Sequence, residues 1–587
     1  MRSQLLKRLR SWLRLPSMSA GCGAKKRSAV RALIVAHLLI LLGTGPGLAG
    51  VQRLSPAQRA AQAAIARWPT STVGVSPASQ PTYGLGFLLD GMDALWYNTA
   101  DPRYYKYTKQ SIDRALTTDG QIGAYEPSAS SDAALLGRQL LHLYGVTQDK
   151  KYYDAATLLQ KQLSSGRELE TGYLDAAFLA EYASAFRESE DFAEITPRFA
   201  VAGKSILNMR ATSLYMVALV DTLPYYPKED PGRAKLLTIL NRSAATVAHD
   251  QNPNTGLWDR RWEKSGKEGA HLEISTPCLF TYALAKGVRL GYLPEQYEAN
   301  ARRAWASIEK KFAQMAASDA PAATGAFVLA GSEMDLEDMA RTGTRQKVLL
   351  DAWYNSQKRT NAAGQSVYFH YKWDDYSNPG FSLFGHIFRS YGLATDTLYS
   401  EPTFTKLRNA QYYIIVSPDN SAKNPDPHYM TETDSSEIAR WVKSGGVLLV
   451  MENDPANADI PHMNLLADKF GLHFNNVLAH HVVGDQHEMG RMDVTADGTL
   501  FHQPHVLFMK DTCSLTLGKG AVSLLRDKGD VLMAYAKYGK GTVYAVTDPW
   551  LYNEYTDGRN LPPDYDNFRG GMELVRWLLQ QRGLTTH

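Results

Sequence analysis

Five short segments in the first half of the chain combine carboxylate side chains with glycines and aromatic residues. They read Tyr83-Gly-Leu-Gly-Phe-Leu-Leu-Asp-Gly-Met-Asp-Ala-Leu-Trp96, Asp132-x4-Gly137-Arg138, Ala218-Leu-Val-Asp221, Thr255-Gly-Leu-Trp258 and Gly269-Ala-His-Leu-Glu273. Carboxyl groups are a residue type that general acid–base catalysis uses. Aromatic rings can stack on sugars, although they also fill protein cores. These residue types therefore permit acid–base chemistry on a polar substrate, provided that the fold brings them together.

The elements around these segments are predicted to be paired helices. Residues 95–105 and 143–153 share one pattern at an offset of 48 residues: an aromatic ends a helix, a polar turn follows, and a Tyr-Tyr pair opens the next helix. A period of this length fits a helix–turn–helix unit that needs neighbours to bury its apolar face. Helical spacing continues further along the chain. The sequence therefore predicts a ring of helix pairs over residues 55–315, whose concave end collects the connecting loops.

The composition of the chain changes after residue 315. Residues 316–345 are predicted to be a linker, because they begin with a run of Ala, Pro, Ser and Asp. Helical segments then alternate with short apolar runs rich in β-branched residues, at 348–351, 412–416, 446–451 and 542–546. This alternation predicts a doubly wound α/β domain with buried parallel strands over residues 346–587.

In order and spacing, the five segments resemble the unsaturated rhamnogalacturonyl and glucuronyl hydrolases, glycoside hydrolase families 105 and 88, over most of residues 55–315. The back half resembles a flavodoxin-like domain, related to glutamine amidotransferases, that is fused to some members. The resemblance implies an (α/α)6 barrel that acts on an oligosaccharide without a metal or an organic cofactor. An acid protonates C4 of a C4–C5 unsaturated uronyl sugar, water adds at C5, and the resulting hemiketal breaks down to release unsaturated uronic acid.

The resemblance implies two catalytic carboxyl groups. Asp132 falls on the active-site Asp of the family, although a residue that follows Ser131 and precedes an apolar helix can also be a helix N-cap. The second carboxyl group is Glu170 in an ungapped match and Asp175 in a match that allows a gap. Glu170 would place its carboxyl about one bond length away from that of an Asp, and such a displacement can be costly. Solvated helix carboxylates are the alternative for both residues.

Five further residues are predicted to bind the substrate. Arg210 falls on the substrate-facing Arg of the family and would hold the uronate carboxylate by two N–H groups. Tyr83 and Trp258 match aromatic residues near the pocket, although a Trp after a Thr-Gly turn can equally fill a core. His271 and Glu273 lie in the segment that the family places near the pocket, where His271 replaces an aromatic residue.

Three departures from the family pattern affect the predicted pocket. The chain is much shorter than the pattern between residues 162 and 210, where a loop with Trp-His-Lys and a loop ending in His-Gly-Trp-Asp are missing. A Gly- and Tyr-rich segment expected after Phe312 is also missing. Each of these segments would help to line the pocket. A non-catalytic carbohydrate-binding protein on the same scaffold is therefore the alternative function, and activity in the α/β domain is a third.

The back half offers fewer chemical groups. The turn after Met451 reads Glu452-Asn453-Asp454, so the Cys nucleophile of a glutamine amidotransferase is missing. Three runs mix aromatic and polar residues, at 370–374, 380–386 and 548–559, and are predicted to form a carbohydrate-binding or interaction surface, with plain packing as the alternative. A group of histidines with one carboxylate indicates a metal site only weakly, and we predict none; its members are His480, His481, His487 and Glu488.

The first 49 residues are predicted to be a secretory signal peptide. They hold nine Lys or Arg and no Asp or Glu, a short apolar core at 32–42, and a small-x-small exit at Gly47-Leu48-Ala49. The predicted location is the bacterial periplasm or the medium, without a stable membrane anchor after cleavage. Subtracting the nine basic residues from the formal charge of +3 leaves −6, which does not indicate nucleic-acid binding. Cys278 and Cys513 fall in different predicted domains, so we expect free thiols.

Overall fold

A computed structural model describes residues 54–70, 84–117, 120, 131–164, 172–186, 191–205, 208–258, 272–314 and 321–585. The predicted signal peptide, residues 1–49, lies outside these ranges and stays a prediction. Ser55–His587 form one compact unit. No helix within the described ranges is long and apolar enough to cross a bilayer.

Twelve helices of the described residues build the first part of this unit. They are α1 (Pro56–Arg67), α2 (Gly84–Thr99), α3 (Pro102–Ala115), α4 (Ser131–Thr147), α5 (Lys150–Ser164), α6 (Ala176–Phe186), α7 (Asp191–Ser205), α8 (Met209–Thr222), α9 (Pro231–Asp250), α10 (Leu272–Arg289), α11 (Glu298–Gln314) and α12 (Pro321–Met334). The even-numbered helices pack in sequence and α12 closes on α2, while the odd-numbered helices pack outside them. The helical region therefore has the (α/α)6-type arrangement that the sequence predicts.

Short turns set the direction of the inner helices. Asp101 caps α3 by accepting the backbone N–H of Arg103, and Pro102 occupies the first turn, so the chain reverses directly after α2. Short connections of this kind make neighbouring helices antiparallel. Each outer helix thus returns the chain to the end where the next inner helix begins. The six inner helices run in one direction, with their first turns at one end of the ring.

The predicted linker over residues 316–345 is wrong for its central part, which forms the inner helix α12. Residues 323–333 of this helix are all buried, and it packs against α2, α10 and α1. Its small residues resemble a linker in composition, yet they allow close contact: a Cβ on Gly325 would lie 2.4 Å from the backbone N of Leu88. The short helix α13 (Glu337–Ala340) follows before the sheet begins.

The second part of the unit contains a mixed nine-stranded sheet. Its strands are β1 (Lys347–Asp351), β4 (Ala394–Leu398), β5 (Tyr412–Val416), β6 (Val447–Met451), β7 (Leu472–His480), β10 (Thr512–Leu517), β11 (Ala521–Asp527), β12 (Asp530–Tyr538) and β13 (Gly541–Val546). The order is β4-β1-β5-β6-β13-β12-β10-β7, and β11 pairs with β12. Strands β4, β1, β5, β6 and β13 are mutually parallel. The four apolar runs of the sequence are confirmed as β1, β5, β6 and β13, whereas the antiparallel strands were not predicted.

Helices cover both faces of this sheet. The remaining elements are β2 (Lys358–Thr360), β3 (Ser366–Tyr368), α14 (Ser382–Ser390), α15 (Phe404–Leu407), α16 (Glu432–Lys443), α17 (Ile460–Ala467), β8 (Arg491–Val494), β9 (His505–Phe508) and α18 (Asn567–Gln580). Helices α14 and α18 share one hydrophobic core with the sheet, and α15, α16 and α17 share the other. The β2–β3 hairpin and the β8–β9 pair are separate small sheets.

The sheet domain packs on the end of the ring where the inner helices finish. The indole Nε1 of Trp96, near the end of α2, donates to the carbonyl of Asp557 at 2.9 Å. The backbone N–H of Ala362 donates to the hydroxyl of Tyr144, near the end of α4, at 2.8 Å. The first turns of the inner helices therefore lie at the end of the ring away from this contact.

Candidate active site in the helical ring

Three predicted site residues lie at the first turns of neighbouring inner helices. Asp132 is the second residue of α4, Arg210 is the second residue of α8, and Asp175 directly precedes α6. Because the inner helices run in one direction, the backbone brings these positions to the same end of the ring. Asp175 is fully buried and Arg210 is partly buried. The shared end of the ring is therefore established for the backbones of these residues, and their catalytic and binding roles stay predictions.

The other predicted residues of this end are described in part. Tyr83, Glu170 and His271 lie outside the described residues. The backbones of Asp132 and Glu273 belong to α4 and α10, and their side chains lie outside the described part of the chain.

Trp258 lies in the wall of a groove at the same end of the ring. Its Nε1 donates to the carbonyl of Val247 at 2.7 Å, and its ring centroid is 4.8 Å from that of Phe280. The side chain is 9% exposed, so it chiefly joins α9 to α10. The groove has a volume of about 350 Å3 and is lined by Met209, Thr212, Thr246, Val247, His249, Asp250, Gln251, Asn252, Pro253, Trp258 and Phe280. Hydroxyl, amide and aromatic groups of this kind suit a polyhydroxylated ligand.

A small cavity of about 30 Å3 lies between four inner elements, below the first turns. Its walls are mostly apolar, and Arg138 and Asp221 are its charged members. The described lining residues are Phe87, Ala134, Leu135, Arg138, Leu174, Ala177, Leu214, Val217, Ala218 and Asp221. The apolar walls and the charged groups together form the bottom of the concave end.

The charged groups continue into a buried ion-pair layer across the ring. Arg138 Nη1 donates to Asp221 Oδ2 at 3.0 Å and to Asp90 Oδ2 at 3.2 Å. Its Nε donates to Glu181 Oε2 at 3.2 Å. A buried guanidinium with three carboxylate partners satisfies its donors and fixes the relative rotation of α2, α4, α6 and α8.

Asp221 is the most strongly paired carboxylate of this layer. Its Oδ1 accepts from Lys286 Nζ at 2.6 Å and from the hydroxyl of Tyr282 at 2.8 Å. Burial alone raises the pKa of Asp221, but the attraction of Lys286 and Arg138 exceeds that effect and holds the pKa below its ordinary value. Asp221 therefore stays ionised and anchors α10 to α8.

Two carboxyl groups of α2 have raised proton affinity. Burial raises the pKa of Asp90 to about 6, against the opposing charge of Arg138. Burial also raises the pKa of Asp93 to about 7, and its Oδ2 contacts His142 Nδ1 at 3.2 Å. Burial lowers the pKa of His142 to about 4, so the imidazole is neutral. Both carboxyl groups thus exchange protons near neutral pH inside the ring.

The sequence interpretation did not assign site roles to this layer, although Asp90, Asp93, Arg138 and Asp221 belong to the quoted segments. The sequence does contain an indication of a buried charged layer. The segment Leu88-Leu89-Asp90-Gly91-Met92-Asp93 places two carboxylates in an otherwise apolar helix. Charged residues are rarely buried unless they are paired. A carboxylate in such a helix therefore indicates a buried partner, but sequence spacing does not tell on which helix that partner lies.

Two of the three predicted surface runs of the α/β domain instead contact the helical ring. Ser382 Oγ lies 3.3 Å from the hydroxyl of Tyr97, and His386 Nε2 lies 2.9 Å from Asn98 Oδ1. In the run 548–559, the guanidinium of Arg559 lies 5.5 Å from the ring of Trp96. The alternative of plain packing therefore holds for these residues rather than a carbohydrate-binding surface, because their polar groups are used between the two domains.

The two remaining cysteines form no disulfide, and the histidine group of residues 480–488 lies in the sheet domain. Cys278 and Cys513 are buried free thiols. His480 Nδ1 contacts Asp527, at 3.3 Å, whereas His481 Nδ1 contacts a different carboxylate. Within the described ranges, no three His, Cys, Asp or Glu side chains are arranged to hold a metal ion.

The comparison with protein families agrees with the helical fold of the first part of the chain. A family model described as Glycosyl Hydrolase Family 88 matches residues 57–196 and 198–325. The resemblance that the motifs indicated is thereby confirmed, and the helical region matches this family of glycosidases over nearly all of its length. The match extends into α12, in agreement with its place in the ring.

Solved structures with similarity to the chain include two proteins of related families. A glycoside hydrolase of family 105 from C. acetobutylicum ATCC 824 has 22% identity and a TM-score of 0.41, over 48% of this chain and 99% of that one. A glycosyl hydrolase of family 88 from Bacteroides vulgatus has 16% identity and a TM-score of 0.38, over 47% of this chain and 97% of that one. The GH76A α-1,6-mannanase from Salegentibacter sp. HEL1_6 has 14% identity and a TM-score of 0.38, over 48% and 98%.

Proposed function

We propose that the helical ring hydrolyses oligosaccharides made by polysaccharide lyases, of the pectic rhamnogalacturonan type, and removes the terminal unsaturated uronyl residue, whose double bond is consumed in the reaction. The observation that carries this proposal is the placement of Asp132, Asp175 and Arg210 at one end of a closed ring, within a region that matches a glycosidase family. Two carboxyl groups and a guanidinium are the groups that hydration of an unsaturated uronyl sugar requires.

In this proposal Asp132 donates the proton to C4 of the sugar. Water then adds at C5, positioned by the second carboxyl group, and the hemiketal opens to release the product. Arg210 binds the uronate carboxylate through two N–H groups, which orients the C4–C5 double bond. Each step moves only protons and water, so the chain needs no metal or organic cofactor for it.

The second carboxyl group of the proposal is Glu170 or Asp175. The position of Asp175 directly before α6, which packs beside α4, favours it as the partner of Asp132. Tyr83, Trp258, His271 and Glu273 are proposed to line the sugar site. The buried hydrogen bond of Trp258 supports a role in holding the wall of the groove in place.

The decisive experiment measures the loss of alkene absorbance with lyase-generated rhamnogalacturonan, glycosaminoglycan and ulvan oligosaccharides. We expect the wild type to consume at least one of them and Asp132→Asn to lose at least about 100-fold in kcat, because general acid catalysis contributes a factor of that order. Asp154→Asn, an exposed carboxylate of the outer helix α5, is the matched control and should keep full activity. A wild type inactive on every substrate, or an active Asp132→Asn, would contradict the proposal.

The shortened segment between residues 162 and 210 favours a second candidate, a carbohydrate-binding protein without catalysis. It would bind the same oligosaccharides and leave the alkene intact, so calorimetric titration alongside the assay separates the two. Activity that survives deletion of the ring would instead locate the chemistry in the α/β domain.

We further infer that the α/β domain is doubly wound and flavodoxin-like, and that the chain is exported to the periplasm or the medium. The order β4-β1-β5-β6-β13 supports the first inference, because it is the flavodoxin order 2-1-3-4-5. The basic, apolar and small-residue pattern of residues 1–49 supports the second. Cleavage after Ala49, detected by N-terminal sequencing of the periplasmic protein, would test export.

A further inference from the structure

The topology of the sheet points to a crevice outside the helical ring. From β1 the chain passes to β4 on one side and then to β5 on the other. In open α/β sheets, ligands bind outside the carboxyl ends of the strands at the point where such connections diverge. Here that point lies between the ends of β1 and β5, at Asp351 and Val416.

Six aromatic or imidazole side chains, which we call the aromatic row, lie along this edge. They are Tyr368, Tyr399, Trp353, His428, Tyr429 and His462. The rings of Trp353 and His428 stack at 3.5 Å, with planes 13° apart. The rings of Tyr429 and His462 stack at 4.4 Å, and those of Tyr368 and Tyr399 are 5.0 Å apart.

The strand register places the three ring pairs at the ends of neighbouring strands. Asp351 of β1 pairs with Leu398 of β4, and the N–H of Ala352 donates to the carbonyl of Leu398 at 2.8 Å. Tyr399, directly after β4, therefore lies beside Ala352, directly after β1. Ala352 is the residue that precedes Trp353. His428 Nδ1 lies 2.9 Å from the carbonyl of Trp353, which joins the segment after β5 to that after β1. The row thus crosses three strand gaps, or roughly 14 Å.

Buried carboxylates hold the backbone under the row. Asp351 Oδ2 accepts the N–H groups of Trp353, at 3.2 Å, and Tyr354, at 2.8 Å. Asp419 Oδ2 accepts from the N–H of Ser356 at 2.8 Å and from Asn424 Nδ2 at 2.9 Å. The rings are therefore supported by a fixed polar scaffold, which lowers the entropy that a ligand must offset on binding.

The row remains accessible in spite of its aromatic character. Tyr399 is 49% exposed and Tyr429 is 37% exposed, and the side chain of His462 is 46% exposed. Large exposed aromatic groups of this kind mark a binding surface. The exposed aliphatic residues Val477 and Leu478 lie elsewhere, on β7, the last strand of the sheet.

Charged groups of both signs lie near the row: Lys358 Nζ is 4.8 Å from the ring centroid of Tyr368, and carboxylates lie near Tyr399, His428 and His462. Glu401 follows Tyr399 by two residues and Asp426 precedes His428 by two, and both are exposed. Asp459 contacts His462 at 2.7 Å. Flat rings beside carboxylates can stack on sugar rings while the carboxylates accept hydrogen bonds from sugar hydroxyls. An anionic chain would meet like charge at these carboxylates.

We propose that the aromatic row is a binding site for a neutral glycan chain, separate from the proposed active site in the helical ring. Stacking on the rings and hydrogen bonding to the carboxylates would retain the protein on a neutral polysaccharide while the ring acts on oligosaccharide ends. Binding at the row requires no hydrolysis, so this proposal can be tested independently of the proposed activity.

Affinity electrophoresis of the full-length protein in native gels tests this site. The probes are soluble galactan as the neutral polymer and polygalacturonate as the anionic one. We expect galactan to retard the wild type and polygalacturonate not to retard it. Tyr399→Ala and Tyr429→Ala should each weaken retardation about tenfold, because each removes one stacking face. Tyr429→Phe keeps that face and should bind as the wild type does.

Leu478→Ala is the matched control, because Leu478 is 50% exposed on β7, away from the row. It should bind galactan as the wild type does. Absence of retardation by galactan, retention by polygalacturonate alone, or equal binding by the wild type and both alanine variants would overturn the proposal. Thermal melting of each variant shows whether a loss of binding reflects a loss of the fold.

Discussion

A carboxyl group buried beside a neutral imidazole makes the stability of the helical ring depend on pH. Burial raises the pKa of Asp93 to about 7, above the ordinary value of about 3.8 for this side chain. The folded state therefore holds a proton that the unfolded chain has released. The stabilisation that this proton provides is fully present below about pH 4 and is lost as the pH rises through about 7.

Asp93→Asn tests this dependence, because the amide resembles the protonated acid and does not ionise. We expect the melting temperature of the variant, relative to the wild type, to rise by about 2 °C between pH 5 and pH 8. Circular dichroism melts at intervals of one pH unit measure the difference. Asp154→Asn, whose carboxylate is exposed, should follow the wild type at every pH. A constant difference for Asp93→Asn would show that the carboxyl group does not titrate in this range.

At the scale of elements, a close backbone contact of the ring joins α12 to α2. The backbone of α2 occupies the space where a side chain of residue 325 would begin: a Cβ on Gly325 would lie 2.7 Å from the carbonyl carbon of Phe87. Neither helix can move away from this contact freely, because each is also packed against a second inner helix. The ring therefore closes through a small residue rather than through a large apolar one.

Gly325→Ala should destabilise the protein by about 2 kcal/mol, because overpacking against a backbone outweighs the gain in helix propensity. Urea unfolding followed by tryptophan fluorescence measures the loss. Ala322→Ser, in the first turn of the same helix and only partly buried, should change the free energy of unfolding by less than about 0.7 kcal/mol. Equal effects of the two substitutions would contradict the close packing of α12 on α2.

At the scale of the whole molecule, one arginine joins the sheet domain to the ring. The guanidinium of Arg559 lies 5.5 Å from the ring of Trp96 and 5.2 Å from that of Tyr105. Its Nε donates to Asp557 Oδ2 at 2.7 Å, and Nη2 donates to Asn378 Oδ1 at 2.6 Å. These contacts tie two helices of the ring to two loops of the sheet domain, so the domains are expected to unfold together.

Differential scanning calorimetry tests this coupling. The wild type should unfold in one transition, and Arg559→Ala should separate it into two. Arg559→Lys should behave similarly, because an ammonium group does not reproduce the planar guanidinium that stacks on the two rings. Arg569→Ala, on the exposed side of α18, should keep the single transition. Two resolved transitions in the wild type would show that the contact does not couple the domains.

Part of the site is predictable from local sequence, whereas its electrostatics are not. The family resemblance assigns Asp132, Asp175 and Arg210 to positions near the starts of helices, and their backbones lie at or directly before the first turns of α4, α6 and α8. The pairing of Arg138 with carboxylates on three other helices was not predicted, because a side chain's partners across a ring depend on helix rotation and not on sequence distance. For the same reason, the contacts of Ser382 and Arg559 with the ring were not predicted.

By itself, the amino-acid sequence determined the helix pairs, the buried parallel strands and the family of the helical region, because periodicity, apolar runs and ordered motifs are local properties. Only the tertiary structure decided that residues 321–334 close the ring, that antiparallel strands extend the sheet, and that aromatic side chains from separate loops form a row. The run of Ala, Pro, Ser and Asp before and within the start of α12 predicts a linker, yet the small residues of this helix let two backbones approach closely. Such features depend on distances between segments that are far apart in the chain.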